Sequence, residues 1–267
     1  MKRYLSILKI NINNNLQYKA AAIAGLMTQF FWGFMYIMIY DAFYMNTTIE
    51  QAFTFQQLVS YVWLQQAFLA FIVYWYRNQE LFNMITNGNV AYELCRPMNL
   101  YSFWYIKLLS QRLASAFLRF SPIIIFAAML PGKYRLMLPN DIKTILLFII
   151  SLFLGCFIIV SISMFIYILT FVTMSPTGIL MVFGIIGDFF AGTIIPIPLM
   201  PESFQKIINL FPFRLVADFP FRVYSGNIGT KDAIIGIFIQ IIWLLIFIIS
   251  GQLSFRAIQR KLVVQGG

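Results

Sequence analysis

The run 233–253 contains no charged residue. At the 1.5 Å rise of an α-helix it is long enough to cross the roughly 30 Å hydrocarbon core of a bilayer. Such a run has few places to go, because lipid offers no partners for backbone N–H and C=O groups and only a helix bonds them all within one segment. Similar runs recur at 20–40, 55–76, within 104–130, at 142–171 and at 179–195. With 61% hydrophobic and 10% charged residues, a soluble domain of 267 residues could not hide the apolar surface. The runs are continuous rather than alternating, which excludes a transmembrane barrel. The sequence therefore predicts an all-α polytopic membrane protein: six transmembrane helices forming one domain over residues 1–267.

Residues 1–18 precede the first span. Leu5, Leu8, Ile12 and Leu16 recur at helical spacing, opposite Lys2, Lys9, Asn13 and Gln17. This predicts an amphipathic helix lying in the membrane interface; the plainer alternative is the solvated start of span one. The segment lacks the apolar centre of a cleavable signal. A net charge of +10 fits the positive-inside bias of membrane chains better than a nucleic-acid partner. Lys2, Arg3, Lys9 and Lys19 at one end and Arg256, Arg260 and Lys261 at the other put both termini in the cytosol. Cys95 falls in a polar segment and Cys156 in a span, so no disulfide is expected.

Two segments interrupt the spans. In 79–103, residues 80–86 can form a short helix that Gly88 stops by taking φ > 0. Asn89 can cap a second helix over 90–96, which Pro97 ends. Val90 and Leu94 share one face of that helix, and Glu93 and Arg96 another. The unit is either an ordinary surface loop or a compact knob on the cytosolic side. The second segment, 196–230, holds Pro196, Pro198, Pro201, Pro212 and Pro220, half of the chain's ten prolines. No single helix survives that density. Short half-helices packed on protein, extracellular or re-entrant, are expected instead.

The chemistry of the chain is sparse. The only Gly-Lys pair, Gly132-Lys133, lacks the upstream glycine and following hydroxyl of a phosphate-binding loop, so the chain should not hydrolyse ATP by that route. It has no histidine, no metal-binding cysteine pattern and no G-x-S-x-G elbow. Arg119 and Asp188 are intramembrane charges at similar expected depth, which predicts a direct or water-bridged pair; a proton relay through Asp188 is the alternative. Phe30 and Phe34 could line a path for an apolar substrate, or simply pack.

Two stretches carry a resemblance. The run 88–100, GNVAYELCRPMNL, resembles the cytosolic segment of six-span ABC type-2 permeases, with its glycine, short helix and Leu-x-Arg-Pro element. The run 192–226 is similar to their extracellular signature, marked here by Gly192, Pro196, Pro201, Leu210-Phe211-Pro212-Phe213, Pro220 and Tyr224-x-Gly226. The resemblance implies a permease subunit in a bacterial cytoplasmic membrane that pairs with a second permease copy or paralogue. Cytosolic ATPase subunits from another chain would hold ATP and Mg²⁺, with no cofactor on this one. The family mostly exports drugs, peptides, lipids or glycan precursors. Carried onto this chain, Val90 and Leu94 would fill a cleft in the ATPase, Tyr92 would flank them, Glu93 and Arg96 would form a polar rim, and Pro97 would close the coupling element. Pro196, Pro201, Phe211, Pro212 and Phe213 would form the external gate. The rival readings are a gradient-driven secondary transporter, for which only Asp188 is well placed, and a membrane scaffold or enzyme, which leaves the knob unexplained.

Overall fold

The computed structural model describes residues 2–15, 19–46, 51–95, 97–139 and 141–260, and among them there are helices and no strands. Four helices contain stretches long and apolar enough to cross a membrane: α2 (Lys19–Met45), α7 (Leu100–Met129), α8 (Ile142–Thr173) and α12 (Thr230–Gln259). α1 (Lys2–Asn15) forms as its spacing predicts and packs along α7. Lys9 and Asn13 are exposed while Leu8 and Ile12 are half-buried, and Leu16 and Gln17 lie outside the described residues.

The other two expected spans differ from their sequence outline. The stretch 55–76 is not one helix. It divides into α3 (Phe55–Ala67) and α4 (Leu69–Ile72), with Phe68 at φ −104°, ψ 21° between them, and the chain beyond Val73 is irregular. Neither glycine nor proline marks this break. The stretch 179–195 shortens to α9 (Pro176–Phe190), which starts on a proline at its first turn. Its 15 residues extend about 22 Å, less than the hydrocarbon thickness.

α8 is the hub. Its buried face runs from Phe148 to Thr170, and α12, α11 (Asp218–Tyr224), α7, α9 and α5 (Gln79–Thr86) all pack on it. The proline-rich segment breaks as expected, into a 3₁₀ turn at Ile197–Leu199, α10 (Glu202–Leu210), a second 3₁₀ turn at Pro212–Leu215, and α11. The Asp218 N–H donates to the Ala191 carbonyl at 3.2 Å. Gln240 of α12 donates from Nε2 to the carbonyls of Ser151 (2.9 Å) and Leu215 (2.8 Å), tying α8, α12 and the broken segment at one point.

Gly155 is what lets that segment come so close. A Cβ there would lie 2.9 Å from the Val216 carbonyl oxygen and 3.1 Å from that of Leu215, both backbone atoms that cannot swing aside. We expect Gly155→Ala to cost about 1–3 kcal/mol, the range for overpacking a tight site. Gly178→Ala, with nothing within 4 Å of the added methyl, should be neutral. Thermal unfolding of both variants in detergent checks this, and equal midpoints would show that the close approach is not a constraint.

At one end of the bundle, loops knit the helices together. The Lys133 ammonium sits 2.6 Å from Asp41 Oδ1, and this hydrogen bond raises its pKa. The Tyr134 hydroxyl donates to the same carboxylate at 2.8 Å, and Trp63 Nε1 donates to the Tyr134 carbonyl at 3.1 Å.

Candidate functional site

The opposite end carries the knob. Asn78 caps α5 by accepting from the Leu81 N–H at 3.0 Å, and Leu81, Phe82 and Ile85 bury one face of the helix. Phe82 packs on Tyr167 of α8 with ring centroids 4.5 Å apart, and the Tyr167 hydroxyl accepts from the Asn78 N–H at 2.9 Å. Gly88 takes φ +73° and ends the turn. α6 (Val90–Leu94) follows, shorter than the expected 90–96. Asn89 makes no side-chain cap. Asn99 instead caps the following α7, accepting from the Ser102 N–H at 2.9 Å.

The face that α6 presents is not the one its spacing predicts. Val90 is 3% exposed and joins Leu81, Phe82, Ile85 and Trp104 in the chain's own core, and Glu93 is buried as well. Tyr92, at 76% exposure, and Leu94, at 39%, point outward. Cys95 and Pro97 are exposed beside them, and Arg96 lies outside the described residues. The turn at Gly88 and Asn89 rolls this short helix inward at Val90, and heptad-style spacing carries no information about that roll.

The buried guanidinium of α7 is Arg112, which is 1% exposed. It donates from Nη1 to the carbonyls of Ala70 (3.1 Å) and Val73 (3.0 Å) and from Nη2 to Ser163 Oγ (3.2 Å), and it lies 5.1 Å from the Tyr76 ring centre. It therefore caps the broken end of α3–α4, where the backbone would otherwise leave carbonyls unbonded. The expected direct ion pair of Arg119 with Asp188 does not form. The Arg119 guanidinium lies over Gly25 of α2, where a Cβ would come 2.8 Å from its Cζ. Asp188 sits on α9 and accepts a hydrogen bond from the Tyr74 N–H. Depth along each helix matched the two charges, but they face different neighbours.

Asp188 opens onto a cleft of about 380 Å³ walled by α2, α3–α4 and the end of α9, whose lining includes Trp32, Tyr36, Gln65, Gln66, Trp75 and Asp188. Phe30 and Phe34 do not line it. Phe30 packs on Phe126 (4.7 Å between ring centres) and Phe34 on Trp63 (5.3 Å). Trp32 and Tyr36, each two residues further on and so about 200° around the helix, supply the cleft's rings.

The residues expected at the gate are spread along the broken segment 196–213. Phe190 contacts Phe211 (5.3 Å) and Phe213 (5.9 Å). Pro212 opens the second 3₁₀ turn, Pro196 precedes the first, and Pro201 precedes α10. Tyr74 donates through its hydroxyl to the Phe213 carbonyl at 3.2 Å, and its ring packs against Gly187 of α9. Tyr61 donates to the Gly192 carbonyl at 3.0 Å and reaches Asp218 Oδ1 at 3.4 Å. Gln65 Nε2 donates to the Thr193 carbonyl. Asp218 is fully buried, with Arg222 Nη1 3.4 Å from Oδ2. Sequence reasoning missed Asp218 and Arg222, although an acid and a base four residues apart in a proline-rich apolar segment are a usable signal.

A family model described as "ABC-2 family transporter protein" matches residues 30–266. A comparison with curated proteins gives no match.

Proposed function

The chain belongs to the ABC-2 transporter family, and on that premise we propose that it is the membrane-spanning permease subunit of an ATP-driven exporter. In this reading α2, α3–α4, α7, α8, α9 and α12 are six spans with both termini cytosolic. A second permease subunit completes the translocation path, and separate cytosolic ATPase subunits hold ATP and Mg²⁺. The observation that carries the proposal is the knob. α5 is bolted to α8 by a buried apolar face, while α6 turns Tyr92 and Leu94 out to solvent. A rigid base with an exposed aromatic and aliphatic tip is what a docking element needs. Movement imposed on α6 by nucleotide binding would pass through α5 to α8, and from α8 to the segment resting on Gly155. The aromatic cluster of Phe190, Phe211 and Phe213 would then act as the outer gate.

Central apolar and aromatic anchors dominate such interfaces at about 2 kcal/mol each, which is about thirtyfold in affinity. Tyr92→Asp and Leu94→Asp should each weaken capture of the ATPase by roughly that factor without disturbing insertion. Val90→Ala should instead lower thermal stability, because its side chain lies in the chain's own core. The measurement is co-purification of the ATPase with each variant from its native membrane, together with unfolding midpoints of the permease. Normal capture by both aspartate variants would reduce the knob to a surface loop.

A further inference from the structure

Among the described residues, Asp188 is the one charged residue lining the cleft between α2, α3–α4 and α9. Among the described residues it takes part in no ion pair. Trp32, on the opposite wall of the cleft, stands at the middle of α2. A half-buried carboxylate at such depth calls for a counter-charge. Much of the exposed surface of the two helices is apolar, including Met27, Phe31 and Met38 on α2 and Met181, Val182 and Ile185 on α9.

We propose that the cleft binds a lipophilic organic cation, an ammonium or phosphonium centre carrying aromatic or aliphatic groups. This rests on the cleft lying on the path of the proposed permease. Three features select that class. The carboxylate attracts a positive centre and repels anions, most strongly where water is scarce. The π-faces of Trp32, Tyr36 and Trp75 attract the same charge, and Trp32 and Tyr36 sit 6.0 Å apart as one wall. The volume of about 380 Å³ suits a small drug-sized ligand. Strongly hydrated inorganic cations are disfavoured, because the apolar lining cannot replace their water.

Binding is measured calorimetrically with the full chain in nanodiscs and no ATPase present, with empty nanodiscs subtracted. Tetraphenylphosphonium and tetraphenylborate have nearly the same shape and opposite charge. The wild-type chain should bind the cation at least about tenfold tighter than the anion. Asp188→Asn should weaken cation binding about tenfold, Asp188→Glu should retain most of it, and Trp75→Ala should weaken it several-fold. Equal affinity of wild type for the two ions overturns the proposal, whatever the variants do. So does unchanged cation binding by folded Asp188→Asn. A null result here leaves ATPase capture through Tyr92 and Leu94 untouched, and failure of that capture leaves this binding untouched, so the two proposals fail separately.

Discussion

Arg112→Ala should be the most damaging single substitution in the chain. The guanidinium bonds two backbone carbonyls and a hydroxyl from a site that is 1% exposed. Hydrogen bonds to a charged group contribute about 1.5–3 kcal/mol each, and a stranded buried acceptor costs about 1–3 kcal/mol. Even with strong non-additivity the loss should reach about 4 kcal/mol, a large part of the 5–15 kcal/mol that typically holds a protein folded. Arg112→Lys should recover little, because a single ammonium cannot span the three acceptors as a planar fork does. Ser163→Ala should cost only about 1.5 kcal/mol, since it removes one of the three partners. Unfolding midpoints and the monodisperse fraction after detergent extraction measure all three. A near-normal Arg112→Ala protein would mean that the end of α4 does not depend on the guanidinium.

Asp218→Ala should rank second. The carboxylate is fully buried and faces Arg222, the Tyr61 hydroxyl and the Ile197 N–H. Removing one partner of a buried pair costs about 3–5 kcal/mol. The lower end applies here, because the Arg222 side chain is 23% exposed and can be rehydrated in part. Arg222→Ala strands the carboxylate instead. The double variant should therefore be milder than the sum of the two single variants, with a coupling of about 1–2 kcal/mol. Simple additivity in that cycle would remove the pair from the account of how the broken segment is held.

The sequence carried the long helices well, because a long, predominantly apolar run has one stable form in lipid. It also carried the breaks that proline and glycine impose, at Gly88 and through 196–230. It carried nothing of the break at Phe68, nor of the early end of α4 at Ile72, where Arg112, 42 residues after Ala70, takes up the carbonyls of Ala70 and Val73. The same limit explains Arg119 and Asp188, and Phe30 and Phe34. Helical periodicity places a residue along a helix and relative to its own neighbours, but the azimuth of one helix against the next is set by packing. For Val90 and Leu94 the pattern found the right helix and divided its face wrongly, since a helix of five residues is oriented by its flanking turns.

The stretch 55–76 is also completed late in synthesis. Tyr61 bonds to Gly192, 131 residues on, and to Asp218, 157 residues on. Gln65 and Tyr74 likewise wait for Thr193 and Phe213. At 5–20 residues per second, a ribosome needs on the order of ten seconds to supply those partners. Arg112 arrives sooner, 42 residues after Ala70. Until the C-terminal third emerges, the stretch 55–76 holds two phenols and an amide, those of Tyr61, Tyr74 and Gln65, with no partner from that region. Biogenesis of this protein is therefore a matter of retention as much as insertion: the stretch 55–76 must be sheltered until the other end of the chain returns to finish it.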